Sequence, residues 1–554
     1  MSDVRVVFLG GLGEIGRNCA CIEVEGRILV IDCGLMFPDV DMPGIDLVLP
    51  DLTYLRENAD RLEGVLITHA HEDHAGGLAF LLRDVSVPIY GSELTLALAR
   101  TRLAEAEVLG NTELIAVRDG ERRQIGPFDA TFIPVTHSVP HGFATALSTP
   151  QGTIVHSGDF KIDLTPVDGR RTDLKALGAI AERDGGIRLL LADSTNAEHP
   201  GHTPSERTVG VAMRRLFREH DGKRIVVASF SSHLHRVQQV AEAALMTGRH
   251  LCFLGRSMTQ NVAIAREMGL LHLPDQRIIQ PDQIEQFAPR EVCVICTGSQ
   301  GEPLSALSLM AAHEHKHVKI TPDDVVVLSA HAIPGNEGNV NRVINALIKS
   351  GAEVVHDRVA PVHVSGHAAQ DELKTLLNLL EPEFFVPVHG EYRHMTAHAR
   401  LAHDCGVPES NVIVCEDGDV LTLSAVGLSV ERDAVPANFL YVDGTVGDVG
   451  HGVLRDRKAL AEEGFVLVIV SVDAKSGELV TAPEIVTRGW VHAPEAEELL
   501  DQARDAVAAA VQAAADEGAI DPDTLRRHAR RALGRFINDS TRRRPQVIPV
   551  VLEV

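Results

Sequence analysis

Residues 64–77 read Gly64-Val-Leu-Ile-Thr68-His69-Ala-His71-Glu-Asp73-His74-Ala-Gly76-Gly77. Gly-Val-Leu-Ile-Thr has the apolar, β-branched makeup of a strand. Past its end His69, His71 and Asp73 recur with a period of two, and His74 stands beside the last. A short turn there can aim four side chains at one point, and the Gly76-Gly77 pair frees the backbone to enter a helix. A lone histidine is ordinarily a satisfied polar residue. Three histidines and an aspartate within six positions are costly to place without metal. Imidazole suits zinc or manganese, and a neighbouring carboxylate suits a second divalent ion.

Outward from this cluster, the first 200 or so residues read as short apolar strands joined by turns: VRVVFL, ACIEVEGRILVID, DATFIPVTHSV, FATALSTPQGTIVHSGD and IRLLLADST. From about Ser205 the rhythm changes to strand, loop, helix, the pattern of a parallel α/β domain. Around 365–420 the His-rich strand style returns in FFVPVHGEYRH, as if the first domain were completed after an insertion. Residues 421–460, rich in Gly, Asp and Val, read as a linker. The tail offers a strand pair, two amphipathic helices from about 495 to 539, and a last strand, QVIPVVLEV, preceded by Arg542-Arg543-Arg544.

The composition is that of an ordinary globular chain, 45% hydrophobic and 23% charged, and 554 residues imply two to four domains. Fifty-two basic residues against 77 acidic ones give a formal charge of −25, which argues against a general nucleic-acid coat but not against a local basic channel. Eight cysteines in so long a chain make no disulfide framework. Cys293 and Cys296 lie in a buried-strand run with no second pair to complete a zinc site. The start, MSDVRVVFLGG, has neither a cationic n-region nor an apolar h-region, and no run approaches about 18 apolar residues. The expected compartment is the cytoplasm, with no membrane association.

Gly11-Leu-Gly13-Glu-Ile-Gly16 matches a dinucleotide-binding fingerprint, but a helix should begin at the third glycine. Instead Asn18-Cys-Ala-Cys-Ile-Glu-Val-Glu alternates with period two and turns at Glu25-Gly26 into another strand. No room remains for a βαβ crossover, and the nucleotide reading fails.

H-x-H-x-D-H resembles the signature of the metallo-β-lactamase superfamily, and the other blocks can be sought in order. Asp32, ending ILVID, matches the aspartate that supports the site from behind. His137 in VTHSVPH matches the third-motif histidine. His141 is a rival; His137 is preferred because it directly follows a strand, though spacing leaves both open. Asp159 in VHSGDF matches the bridging aspartate. Beyond it the resemblance narrows to the β-CASP nucleases: Asp193 matches motif A, His367 in HVSGH motif B, and His389 in VPVHGEYRH motif C, where a histidine points to RNA rather than DNA. LGGLGEIGRN, DCGLMFPD, DSTNAE, SFSSHLHR, TGSQGEP, PGNE and RRRPQVIPVVLEV extend the resemblance over essentially the whole chain, to the bacterial ribonuclease J family. One departure is His141, where that family commonly carries an acid.

The resemblance implies an α/β chain: a metallo-β-lactamase αββα sandwich with an inserted β-CASP α/β domain and a small α+β C-terminal domain. Residues 1–205 would form the first part of the sandwich, 206–365 the insertion, 366–420 the completion, 421–460 the linker and 461–554 the C-terminal domain. Two divalent ions, zinc or manganese, would be held by His69, His71, His137 and Asp159, and by Asp73, His74, Asp159 and His389. The family hints further at a structural calcium on Asp46 and Asp443. The partners would be single-stranded RNA and a second copy of the chain, as a homodimer or dimer of dimers through the C-terminal domain.

RNA hydrolysis needs a nucleophile at neutral pH, neutralisation of developing charge, and a proton for the leaving 3′ oxygen; two cations about 3.5–4 Å apart supply the first two. His367 is the candidate general acid, oriented by Asp193, with Asp73 and Asp32 completing the catalytic group. The family's 5′-to-3′ exonuclease activity on 5′-monophosphate ends, with internal cutting besides, needs a phosphate-binding wall. His363, Ser365 and Gly366 of HVSGH offer one side and Ser232 and His233 the other. Competing readings are a small-molecule hydrolase of the same fold, against which the large insertion argues, and a non-catalytic RNA-binding scaffold, which should have lost ligands.

Overall fold

The structure, a computed structural model, describes residues 2–39, 41–183, 185–333, 336–444, 449–491 and 496–554. The chain forms two compact units, Met1–Phe37 with Val48–Phe439, and Pro38–Leu47 with Leu440–Val554.

Two sheets stacked face to face found the first unit. One runs, in spatial order, Gly427–Glu431, Val420–Ser424, Val4–Gly10, Cys19–Val24, Arg27–Ile31, Leu62–Leu66, Ile89–Gly91 and Leu114–Ala116. The other runs Phe384–Val388, Ile187–Asp193, Gly152–His156, Phe143–Thr149, Phe128–Pro134 and Arg122–Ile125. Period-two alternation decides what each face meets. Val4, Val6 and Phe8 turn inward against Phe128, Phe132, Leu147 and Leu189 of the facing sheet. Val7 and Leu9, on the opposite face, join a separate core with Leu78, Leu81 and Leu96 of the covering helices. Helices Leu174–Ala181, Gln370–Leu380 and Tyr392–Asp404 cover the second sheet in the same way. With both faces buried, the strands are apolar almost throughout. The result is a helix–sheet–sheet–helix sandwich, the expected architecture.

The insertion departs from the end of Ile187–Asp193 and returns at Phe384–Val388, its parallel neighbour in the same sheet. Between them lies a wholly parallel five-stranded sheet, ordered His250–Leu254, Val292–Cys296, Arg224–Ala228, Asp324–Leu328 and Glu353–Val355. Ile225 and Val227 face helices Arg207–Glu219 and Leu234–Met246, while Val226 and Ala228 face Ala306–Ala311 and Glu337–Lys349.

Residues 421–460, expected as a linker, hold regular structure. Val420–Ser424 pairs with Val4–Gly10 and turns back as Gly427–Glu431, extending the first sheet by a hairpin, and Gly450–Glu463 is a helix. Gly and Asp at the turn and flanks hid two five-residue strands that only the sheet edge selects.

In the second unit, Glu484–Arg488, Phe465–Val472 and Gln546–Glu553 form a three-stranded sheet with Phe465–Val472 central. Val466, Val468 and Val470 pack under helices Glu497–Asp516 and Pro522–Thr541. The second helix starts cleanly, with Asp521 accepting from the Thr524 N–H and Pro522 at its first position. Among the described residues no helix is long and apolar enough to cross a membrane, and all eight cysteines are free thiols.

Candidate metal centre

Strand Leu62–Leu66 ends just before Thr68, and His71 becomes the cap of a short helix, Glu72–Ala75. This loop is pressed against the turn that follows Arg27–Ile31. Cys33 N donates to His74 O at 2.8 Å and Leu35 N to Glu72 O at 2.9 Å. A Cβ on Gly34 would stand 1.7 Å from Asp73 O, so only glycine allows the approach. The strand-end side chains that result are His69 and His74, both buried, with His71 and Asp73 partly so.

The two expected donor groups form around one carboxylate, His69, His71, His137 and Asp159, and Asp73, His74, Asp159 and His389, and a third set, Asp159, Asp193, His367 and His389, overlaps the second; within each the ligand atoms lie within 4.8 Å of one another. In the first, His69 Nε2 lies 3.0 Å and His137 Nε2 3.2 Å from His71 Nδ1. Asp159 Oδ2 lies 3.6 and 3.7 Å from His69 Nε2 and His137 Nε2. Burial holds His69 and His137 well below the usual histidine range and His71 down at about 4, so three neutral rings crowd together. In the second group, Asp159 Oδ2 is 3.2 Å from His74 Nε2 and 3.6 Å from His389 Nε2, and Asp73 Oδ2 is 3.3 Å from the latter. Burial pushes the His74 and His389 rings down, but Asp159, with Asp73, overrides it and drives both well up. Converging ring nitrogens in one group and surplus carboxylate charge in the other both suit divalent cations.

What lies behind the donors fixes their tautomers. His74 Nδ1 is 2.7 Å from Asp32 Oδ2, His389 Nδ1 2.7 Å from Thr195 Oγ1, and His137 Nδ1 donates to Gly366 O at 2.9 Å. Each of these rings therefore turns Nε2 to the centre. His71 alone presents Nδ1. Asp32 also accepts from Thr68 N at 2.7 Å and Thr68 Oγ1 at 2.8 Å. Asp32 and His389 both sit at positive φ, +61° and +53°, backbone strain held at the site.

Asp193 and His367 meet beside the second group, with His367 Nδ1 2.7 Å from Asp193 Oδ2. Burial pushes the His367 ring down, yet Asp193 outweighs it and the net direction is up. The Asp193 carboxylate thus favours the protonated form of the His367 ring. Thr195 N and Oγ1 donate to the other Asp193 oxygen at 2.9 and 2.8 Å.

Two of the residues expected as a phosphate-binding wall, His233 and His363, lie by a buried guanidinium that sequence reasoning did not single out. Arg236, wholly buried, pairs with Glu206 through Nε at 2.6 Å and Nη2 at 2.9 Å, and donates to Ser329 O and Val362 O. It therefore ties the chain leaving the sandwich to the chain returning. His233 Nε2 points into this pair, 3.4 Å from Glu206, and burial drives its ring down to about 4. His363 is driven down to about 3. The Nδ1 atoms of both rings are buried without a hydrogen-bond partner among the described residues. Ser365 Oγ accepts from Asn196 Nδ2 at 2.8 Å, and Ser232 immediately precedes His233, the cap of helix Leu234–Met246. Gly366 does something else: a Cβ there would stand 2.6 Å from His137 Cε1, and its carbonyl orients that ring.

His141 lies outside both donor groups, at φ +63°. Asp46 and Asp443 come together in the second unit, where Asp46 accepts from Gly444 N at 2.7 Å. Arg457 forms an ion pair with the Asp443 carboxylate. Among the described residues these two acids belong to no group of three metal donors. Asn18, Thr68, Thr195 and Asn196 also went unremarked; single polar residues beside a motif carry no periodicity that would mark them.

Known families match successive parts of this chain. Residues 12–205 match the metallo-beta-lactamase superfamily, 222–347 the ribonuclease J beta-CASP domain, 352–414 the Zn-dependent metallo-hydrolase RNA specificity domain, and 452–554 the ribonuclease J C-terminal domain. A crystal structure of a protein of unknown function from Enterococcus faecalis V583 shares the fold, with a TM-score of 0.52 at 16% identity, covering 76% of this chain and all of that one. Ribonuclease J of Mycolicibacterium smegmatis is 41% identical over 100% of this chain and 97% of its own. Ribonuclease J 1 of Streptococcus pyogenes is 39% identical (100% and 98%), and ribonuclease J2 of Bacillus subtilis 38% (100% and 99%). Such identity along the full length of both partners, with every donor block in order, means that this chain belongs to the ribonuclease J family.

Proposed function

We propose that the chain is a metal-dependent ribonuclease that degrades single-stranded RNA from the 5′ end, prefers a 5′-monophosphate, and also cuts internally. It would act in the cytoplasm, in rRNA maturation and mRNA decay. The observation that carries this reading is the His367–Asp193 pair, 2.7 Å apart and adjoining the Asp159-centred donors. A hydrolytic metal centre alone has no preference for phosphodiesters; a positioned acid for an alkoxide leaving group does.

Bound zinc or manganese would activate water and neutralise phosphate charge. The chain's own residues do the rest. Asp159 offers both donor groups one oxygen, and Asp32 and Thr195 hold His74 and His389 in the tautomers that face inward. Asp193 accepts a hydrogen bond from Nδ1–H of the His367 imidazolium and keeps that proton on the ring, leaving Nε2–H to protonate the leaving 3′ oxygen, work worth typically 10²–10⁴-fold. The products would carry a 5′-phosphate and a 3′-hydroxyl. For the 5′ end, the unpartnered Nδ1 atoms of His233 and His363, with the Ser365 hydroxyl, support a phosphate wall. The exposed apolar residues Ile548 and Leu552 on edge strand Gln546–Glu553 support a homodimer, or dimer of dimers, through the C-terminal domain.

The test is one labelled RNA in 5′-monophosphate and 5′-triphosphate forms, incubated with manganese or zinc. Mononucleotides released mainly from the monophosphate form are expected. Equal internal cutting of both forms would reduce the enzyme to an endonuclease, and intact RNA would return the small-molecule hydrolase.

A further inference from the structure

The second unit carries a charge pattern that catalysis leaves unused. Between Arg526 and Arg544 stand eight arginines and a single acid, Asp539, in a chain of formal charge −25. On helix Pro522–Thr541, Leu525, Ala529, Leu533 and Ile537 are buried against the sheet. At 3.6 residues per turn, Arg527, Arg531 and Arg535 fall on the opposite face, with Arg530 towards its edge and Arg526 at the start of the helix. Arg542, Arg543 and Arg544 continue past the helix end, and all eight are exposed. The row repeats about every 6 Å along the axis.

Helix stability does not account for it. Like charges four apart oppose helix formation. Arg542 sits at the C-terminal cap, where a cation complements the helix dipole, but the other helical arginines lie along its length. Arg526 pairs with Asp523 at 2.7 Å and Arg543 approaches Glu463 at 3.7 Å. Arg530, Arg531, Arg535 and Arg542 have no ion pair among the described residues. The neighbouring helix Glu497–Asp516 exposes Glu497, Glu498, Asp501, Asp505 and Asp516, so the basic row is a local feature and not the character of the whole unit.

We propose that this arginine row is a second RNA-binding surface, one that grips the phosphate backbone without reading sequence. Guanidinium forks suit phosphate oxygens, and a spaced row of them on one helix face suits a repeating polyanion. The inference rests on RNA being the substrate. It adds that long RNA is held at two places on the chain, so the affinity for long and short substrates should differ in salt dependence.

The experiment compares the metal-loaded full-length protein with Arg530→Gln/Arg531→Gln/Arg535→Gln/Arg542→Gln and with the corresponding quadruple Lys variant. Binding of a long single-stranded phosphorothioate RNA is titrated over a salt series, and turnover is measured on a long RNA and on a dinucleotide. The Gln variant should bind long RNA more weakly, with a salt slope reduced by roughly 0.7 for each phosphate no longer neutralised. Its KM on long RNA should rise while turnover of the dinucleotide stays as it was, and the Lys variant should retain most of the slope. Unchanged slope and KM in the Gln variant would overturn the proposal. So would weaker binding accompanied by dissociation of the oligomer in sedimentation, which would make the row an interface with the acidic helix of another copy. A wild-type protein that binds phosphorothioate RNA through these arginines yet cuts no RNA would refute the ribonuclease reading and leave the surface standing.

Discussion

The two donor groups share Asp159 but are built on different chemistry. The first has three imidazoles that burial keeps neutral, and all its members lie between residues 69 and 159. The second has two carboxylates and two imidazoles pulled towards the cationic form, and it needs His389 from beyond the insertion. An imidazole-rich set favours zinc, whereas added carboxylate oxygen widens tolerance towards manganese. Neighbouring sites sharing one ligand can thus differ in metal preference and in how much of the fold they require.

The largest effect should come from removing a donor belonging to one group only. His71→Ala should lower the metal content to about one ion per chain, read by elemental analysis after dialysis. RNA cleavage should fall by more than the roughly 100-fold that loss of an outer partner costs. Full activity in a folded His71→Ala protein would break the comparison and the two-metal assignment with it.

Next comes the proposed proton donor. His367→Ala should cost about 10²–10⁴-fold in kcat with metal content intact. The Asp193 carboxylate raises His367, so the acid is present below its raised pKa and is lost as pH rises through it. Asp193→Asn should therefore move the alkaline limb of the kcat profile to lower pH. A limb that does not move assigns the proton to another group.

Asp32→Asn should have the smallest effect, since it acts from behind the donors, on His74 and on the Thr68 turn. A loss of 10–100-fold in activity or metal affinity is expected, rescued in part by excess metal. Selective loss of one of two ions would sharpen the difference between the groups; simultaneous loss of both would erase it.

Most of the fold was legible in the sequence because burial on both strand faces leaves apolar runs, and because the switch to strand–helix alternation marks where the insertion begins. The hairpin at 420–431 was not, since only the open edge beside Val4–Gly10 makes those residues strands. In the site, donors that crowd into one six-residue loop announce themselves by chemistry. His389 is visible only as part of a family block, for nothing local says that Val388 will pair beside Asp193. Arg236 and Glu206 were illegible for a different reason. A helical arginine thirty residues from an acid is indistinguishable from surface charge until packing buries both.

The placement of the insertion between two adjacent strands has a consequence during protein synthesis. Six of the seven proposed metal donors have been translated by residue 159; the last waits until residue 389, just past the end of a strand that can pair only after the intervening domain has been made. A nascent chain, or a product terminated early, therefore carries the greater part of a nuclease centre without the piece that closes it. The ribosome and the message from which this enzyme is being read are the RNA nearest to it at that moment, and the order of the chain keeps the blade unassembled until the insertion lies behind it.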